Sequence, residues 1–167
     1  MIDEEKISVK KIREILESVN DPEVPVLSII DLGILRDVII NDDEIEILIT
    51  PTYSGCPAID MISMNIKLAL IENGHKKIKI TSVLSPAWTT DWMSEEGKQK
   101  LKAFGIAPPT LKQQICHTEL FHEGEAIQCP RCNSYHTKLI SQFGSTACKA
   151  LYVCETCKEP FDYFKCH

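Results

Sequence analysis

Apolar residues recur along this chain first at helical and then at strand spacing. Ile7, Ile12, Ile15, Leu16 and Val19 fall on one helical face with Lys and Glu opposite, predicting an amphipathic helix over 5–19. Asp21-Pro22 ends it, because proline pushes the preceding residue out of the helical region. An irregular stretch over 22–36 follows. Leu35–Ile40 predicts a strand, Asn41-Asp42-Asp43 a turn, and Glu44–Thr50 a second strand, in which Ile45, Ile47 and Ile49 alternate with polar neighbours. Pro57 suits a first helical position. Ile59, Ile62, Ile66, Ala69 and Leu70 make the next buried stripe, and Asn73-Gly74 stops it. Lys77–Leu84 predicts a third strand with Ile78 and Ile80 inward. Ser94 opens a short helix that runs to about Phe104, before Gly105 and Pro108-Pro109.

The order α-β-β-α-β-α predicts an α+β domain over 1–107, with helices packed on a small three-stranded sheet. Residues 108–127 lack a period and read as a linker. Residues 128–167 read as a ribbon, with strands near Tyr135–Phe143, Ala150–Val153 and Phe161–Phe164.

The tail carries the plainest chemistry. Cys129-Pro-Arg-Cys132 and Cys154-Glu-Thr-Cys157 are two C-x-x-C pairs separated by twenty-one residues. Such pairs place four thiolates at the corners of a tetrahedron, the geometry of structural Zn²⁺. About forty residues bury too little core to fold unaided, so a metal staple is expected there. Cys148 and Cys166 lie in the ribbon outside these pairs, either as core residues or as reserve ligands or a redox pair. Cys116 lies in the linker beside His117.

Charge narrows the function classes. Residues 128–167 hold five Lys/Arg against three Asp/Glu, a net of +2, so with −6 on the whole chain residues 1–127 carry −8. Four thiolates with zinc bring the tail near neutral, so no basic stripe for nucleic acid is expected. The polar, acidic start, Met1-Ile2-Asp3-Glu4-Glu5-Lys6, carries no export signal, and no apolar run reaches membrane-spanning length. A reducing cytoplasm is the expected setting, where C-x-x-C reads as metal before disulfide.

A second cysteine has its own context. Thr50-Pro51-Thr52-Tyr53-Ser54-Gly55-Cys56-Pro57 joins a strand end to a helix start. Helix N-terminal amides favour a thiolate, so Cys56 could bind metal or act as a nucleophile. It could equally be a small buried residue.

Asp21-Pro22-Glu23, Asp31-Leu32-Gly33, Thr52 and Cys56-Pro57 occur in the order found in the SufT-like iron–sulfur maturation domain, which residues 5–104 resemble. The resemblance marks Asp21, Glu23, Asp31, Thr52 and Cys56 as functional candidates that could hold iron or an iron–sulfur cluster transiently. Asp21 and Asp31 are also turn-forming residues. With Trp88-Thr89-Thr90-Asp91-Trp92 and the ribbon segments Ser141–Tyr152 and Glu159–Cys166, nearly the whole chain resembles the PaaD family.

That resemblance implies an accessory factor, not an enzyme, in aerobic phenylacetate breakdown. It would assist iron–sulfur assembly in the reductase component of phenylacetyl-CoA epoxidase. The implied partners are that reductase, other epoxidase components and the iron–sulfur assembly machinery. A permanently bound structural component is the alternative. The residues agree with a non-oxygenase: a di-iron site needs Glu-x-x-His pairs on bundled helices, and Glu72-Asn73-Gly74-His75 is interrupted by glycine. Trp88 and Trp92 are either core residues or a recognition patch.

Overall fold

The computed structural model describes residues 8–42, 44–53, 55–109 and 127–165. The chain divides into two compact units, Met1–Trp88 and Thr89–His167.

In the first unit, α1 spans Val9–Leu16, with the Ser8 hydroxyl accepting from the Lys11 N–H. It ends earlier than its apolar period. Ser18 Oγ donates to the Ile15 carbonyl at 2.7 Å, and a hydroxyl that bonds the backbone competes with the helix. Val19 remains buried from the turn that follows. β1 (Leu35–Asn41) and β2 (Glu44–Ile49) form an antiparallel hairpin, and β3 (Lys77–Ser82) joins β2 in parallel, giving the order β1-β2-β3. Register sets Ile45 between Ile40 and Ile78, and Ile47 between Val38 and Ile80, so one face of the sheet is continuously apolar. α2 (Ala58–Glu72) forms the β2-to-β3 crossover and buries Ala58, Ile62, Ile66 and Leu70. Its first residue is Ala58, one later than Pro57. The Thr50–Pro57 loop therefore lies at the carboxyl end of a strand in a parallel pair, where α/β crossovers leave room for ligands.

In the second unit, α3 (Glu95–Phe104) is capped by Ser94 Oγ, which accepts from the Gly97 N–H at 2.9 Å. It closes on Gly105 at φ 92°, a left-handed position that favours glycine. Both boundaries follow the sequence, but the destination does not. Ile106–Ala107 is a strand, β4, that pairs in parallel with β7 (Pro160–Phe164). With β6 (Lys149–Cys154) and β5 (Thr137–Ser141) it completes a sheet of order β4-β7-β6-β5. The expected boundary at 107 thus lies within the second sheet's edge strand, and the observed division falls after Trp88. Most of the expected 108–127 linker, with Cys116, His117 and His122, lies outside the described residues, as does Cys166.

Trp88 is core. It is 2% exposed, and its indole N–H donates to the Leu32 carbonyl at 2.8 Å, pinning the Asp31-Leu32-Gly33 turn. Trp92 is half-buried in a 3₁₀ turn over Thr90–Trp92.

Candidate functional sites

The two C-x-x-C segments fold into matching knuckles. The Asn133 N–H donates to the Cys129 carbonyl at 3.0 Å, and the Lys158 N–H to the Cys154 carbonyl at 2.9 Å. Asn133 and Lys158 both take positive φ, 60° and 64°, which turns the chain after each second cysteine. Cys129 N–H reaches the Ser134 carbonyl and Cys154 N–H the Glu159 carbonyl, repeating the pattern. The sulfurs of Cys129, Cys132, Cys154 and Cys157 all lie within 4.8 Å of one another. Cys129 Sγ to Cys157 Sγ is 3.8 Å, and Cys132 Sγ to Cys154 Sγ is 3.5 Å. A tetrahedron of Zn–S bonds near 2.3 Å needs sulfur separations of about 3.8 Å, so the four thiols fit a structural metal.

The protons tell the same story. Backbone N–H groups, first that of Cys157, pull Cys154 down to about 6. At Cys132 the Ser134 backbone favours the thiolate, but desolvation and the neighbouring thiols outweigh it and push the group up to about 12. Crowded thiols resist sharing negative charge until a cation joins them. Cys129 and Cys154 are also part of the ribbon core, with Ala107, Ile127, Ala150, Tyr152, Phe161 and Tyr163. Tyr152 stacks on Phe161 at 5.9 Å and meets Tyr163 edge-on at 5.8 Å.

Cys148 stands outside this set. It is buried, with its sulfur 3.0 Å from Thr146 Oγ1. Neighbouring Lys165 sends Nζ to the Gln142 carbonyl at 2.6 Å and over the Phe143 ring, and burial lowers its pKa.

In the first unit the loop after β2 brings Cys56 together with two of the expected carboxylates. Gly55 at φ 82° turns the chain, and Cys56 N–H donates to the Tyr53 carbonyl at 3.3 Å. Cys56 is 8% exposed. Burial raises its thiol pKa, the Ala58 N–H only partly offsets this, and the charges of Glu23 and Asp21 raise it further. Of the two readings the sequence left open, the environment is that of the buried residue: Cys56 is a shielded thiol held in its neutral form. The first-turn amides act as foreseen, but desolvation outweighs them.

The Tyr53 side chain hydrogen-bonds Cys56, a partner that sequence reasoning missed. Its position three residues ahead, within one turn, was the available signal. Thr50 was missed too: its Oγ1 is buried without a hydrogen-bond partner among the described residues. No pattern in the sequence marks it. Thr52, 9% exposed, is buried two residues on.

The carboxylates shape their own loops. Asp21 Oδ1 accepts from the Glu23 and Val24 N–H groups at 2.7 and 3.0 Å. Asp31 Oδ2 accepts from the Ser28 N–H at 3.2 Å, while Ser28 Oγ accepts from the Asp31 N–H at 3.0 Å. Both are buried, at 7% and 6%. Glu23 is half-buried.

Comparisons with known proteins follow the two units. A family model for an iron–sulfur cluster assembly protein matches residues 10–81, and one for the PaaD zinc beta ribbon domain matches residues 113–165. An Escherichia coli (strain K12) protein, described as a putative component of 1,2-phenylacetyl-CoA epoxidase, is 49% identical over 95% of this chain and 93% of its own. An Fe-S protein maturation auxiliary factor of Porphyromonas gingivalis is 35% identical over 52% of this chain and 83% of its own. Among solved structures, a domain of unknown function from Bacillus anthracis aligns with a TM-score of 0.53 and 31% identity, covering 56% of this chain and 90% of its own. A conserved hypothetical protein from Thermotoga maritima aligns at 0.50 and 28%, covering 57% and 95%. Among the described residues, no helix is long and apolar enough to cross a membrane.

Proposed function

The chain belongs to the PaaD family, and from that premise we propose that it is an accessory factor of the phenylacetyl-CoA epoxidase system that assists iron–sulfur assembly in the reductase component. The observation that carries this reading is the enclosed Cys56 thiol with Asp21 and Glu23 in electrostatic range. Iron accepts thiolate and carboxylate ligands together, so this group suits iron as transient cargo. A shielded, neutral thiol is a poor nucleophile and is protected from oxidation. It gives up its proton when a cation arrives. That behaviour suits a carrier better than a covalent catalyst. Asp31 braces its own turn through Ser28, and Thr52 is buried in the loop before Cys56. In the ribbon, Cys129, Cys132, Cys154 and Cys157 hold a structural zinc.

The description of the Escherichia coli relative as part of the epoxidase favours a second reading, a structural component that stays bound to the enzyme. Cell extract lacking this protein separates the two. If it assists maturation, adding purified reductase already loaded with its cluster restores epoxidation without this chain. If epoxidation returns only when this chain is added in equal amount, it is a structural component.

A further inference from the structure

α2 is apolar on two sides. Ala58, Ile62, Ile66 and Leu70 face the core. Met61, Met64, Leu68 and Ile71 are 49%, 51%, 50% and 54% exposed. A surface helix ordinarily turns polar residues outward, and a stripe of half-exposed large residues marks an interaction site. The outer stripe has the spacing 3-4-3, which is the a/d seam of a helix pair and is narrower than a core-facing face. Asp60, Asn65, Lys67 and Glu72 flank it. The Lys67 and Glu72 side chains are exposed and pair with no described residue.

We propose that this face binds a second copy of the chain, with the two α2 helices side by side and parallel. The flanking charges choose both partner and direction. In a parallel pair, the residue before one a position faces the residue five places later on the other helix. Lys67 of each copy then meets Glu72 of the other, so the attraction occurs twice. An antiparallel pair would set Met61 opposite Ile71 and bring the two Lys67 side chains together. The parallel pair also places both Cys56-Pro57 turns at one end, with helix axes about 8–10 Å apart. Four half-exposed side chains per copy bury roughly 800 Å² in total, below the usual size of a stable interface. The dimer is therefore weak, with a dissociation constant on the order of 10 μM or above.

Sedimentation equilibrium of the full metal-loaded chain, from about 5 to about 200 μM at low salt, tests this. The mass should rise toward twice the chain mass. Leu68→Glu should hold it at one chain mass. Lys67→Glu should weaken association about tenfold, and Lys67→Glu/Glu72→Lys should restore it to within about threefold. Circular dichroism confirms that each variant is folded. All substitutions are at exposed positions, and the charge-swap pair keeps the net charge. A chain that stays monomeric throughout, or a dimer indifferent to Leu68→Glu, overturns the proposal. So does failure of the swap to rescue Lys67→Glu, or a monomer that uses α2 only to hold an epoxidase component.

Discussion

Trp88 shows what one side chain does for the first unit. It fills core volume and satisfies the buried Leu32 carbonyl through its indole N–H. Trp88→Phe keeps an aromatic ring but leaves that carbonyl unpaired, at a cost of about 1–3 kcal/mol plus a smaller packing loss. Urea unfolding should show the midpoint falling with the slope unchanged. At Cys56 the sequence located the strand-to-helix turn but not its environment. First-turn amides stabilise a charge by about 0.3–1 kcal/mol, and desolvation at a nearly closed site opposes them more strongly. Its electrostatic surroundings include Asp21 and Glu23, more than thirty positions upstream, which no local pattern reports. Because its folded pKa is raised, this thiol favours folding below its unfolded value near 8.5 and loses that contribution as pH climbs through the folded value. The stability of wild type relative to Cys56→Ser should thus be constant through neutrality and decline at alkaline pH. Iodoacetamide should label Cys56 in folded protein at pH 8 more slowly than a free thiol.

At the level of elements, caps and periods were readable because they are local. Ser94 and Gly105 bounded α3, alternation gave the three strands of the first sheet, and the C-x-x-C spacing located both knuckles. What α3 and its following strand pack on was not readable. Two residues, Ile106 and Ala107, carry no strand signature, and their pairing with β7 spans more than fifty positions. Leu101 and Ile106 are 0% and 5% exposed, so the ribbon depends on a segment that the sequence assigned to the other domain. A fragment over 89–167 should therefore be more stable, when metal-loaded, than one over 110–167. Burial of two large side chains contributes roughly 3–5 kcal/mol, a melting difference of at least about 10 °C. Stripping the metal should unfold the ribbon outright, since structural zinc contributes more than about 10 kcal/mol to such a fold. Atomic absorption should find about one zinc per chain in wild type and little in Cys129→Ser/Cys154→Ser. Near-full zinc in that double variant would move the ligands elsewhere.

For the whole molecule, an assembly-type unit and a metal ribbon occur in one chain, and the Escherichia coli relative aligns across both. The four-cysteine cluster was legible because ligands in a ribbon come in fixed pairs. The surroundings of Cys56 were only partly legible, because Tyr53, Asp21 and Glu23 reach it through loops and not through a repeat. The central claim concerns what happens to the client. Iron and acid-labile sulfide should be measured in epoxidase reductase purified from cells with this protein, without it, and with Cys56→Ser in its place. The account predicts full cluster content in the first and a clear deficit in the other two, at equal yields of reductase chain. Equal iron and sulfide in all three would contradict it.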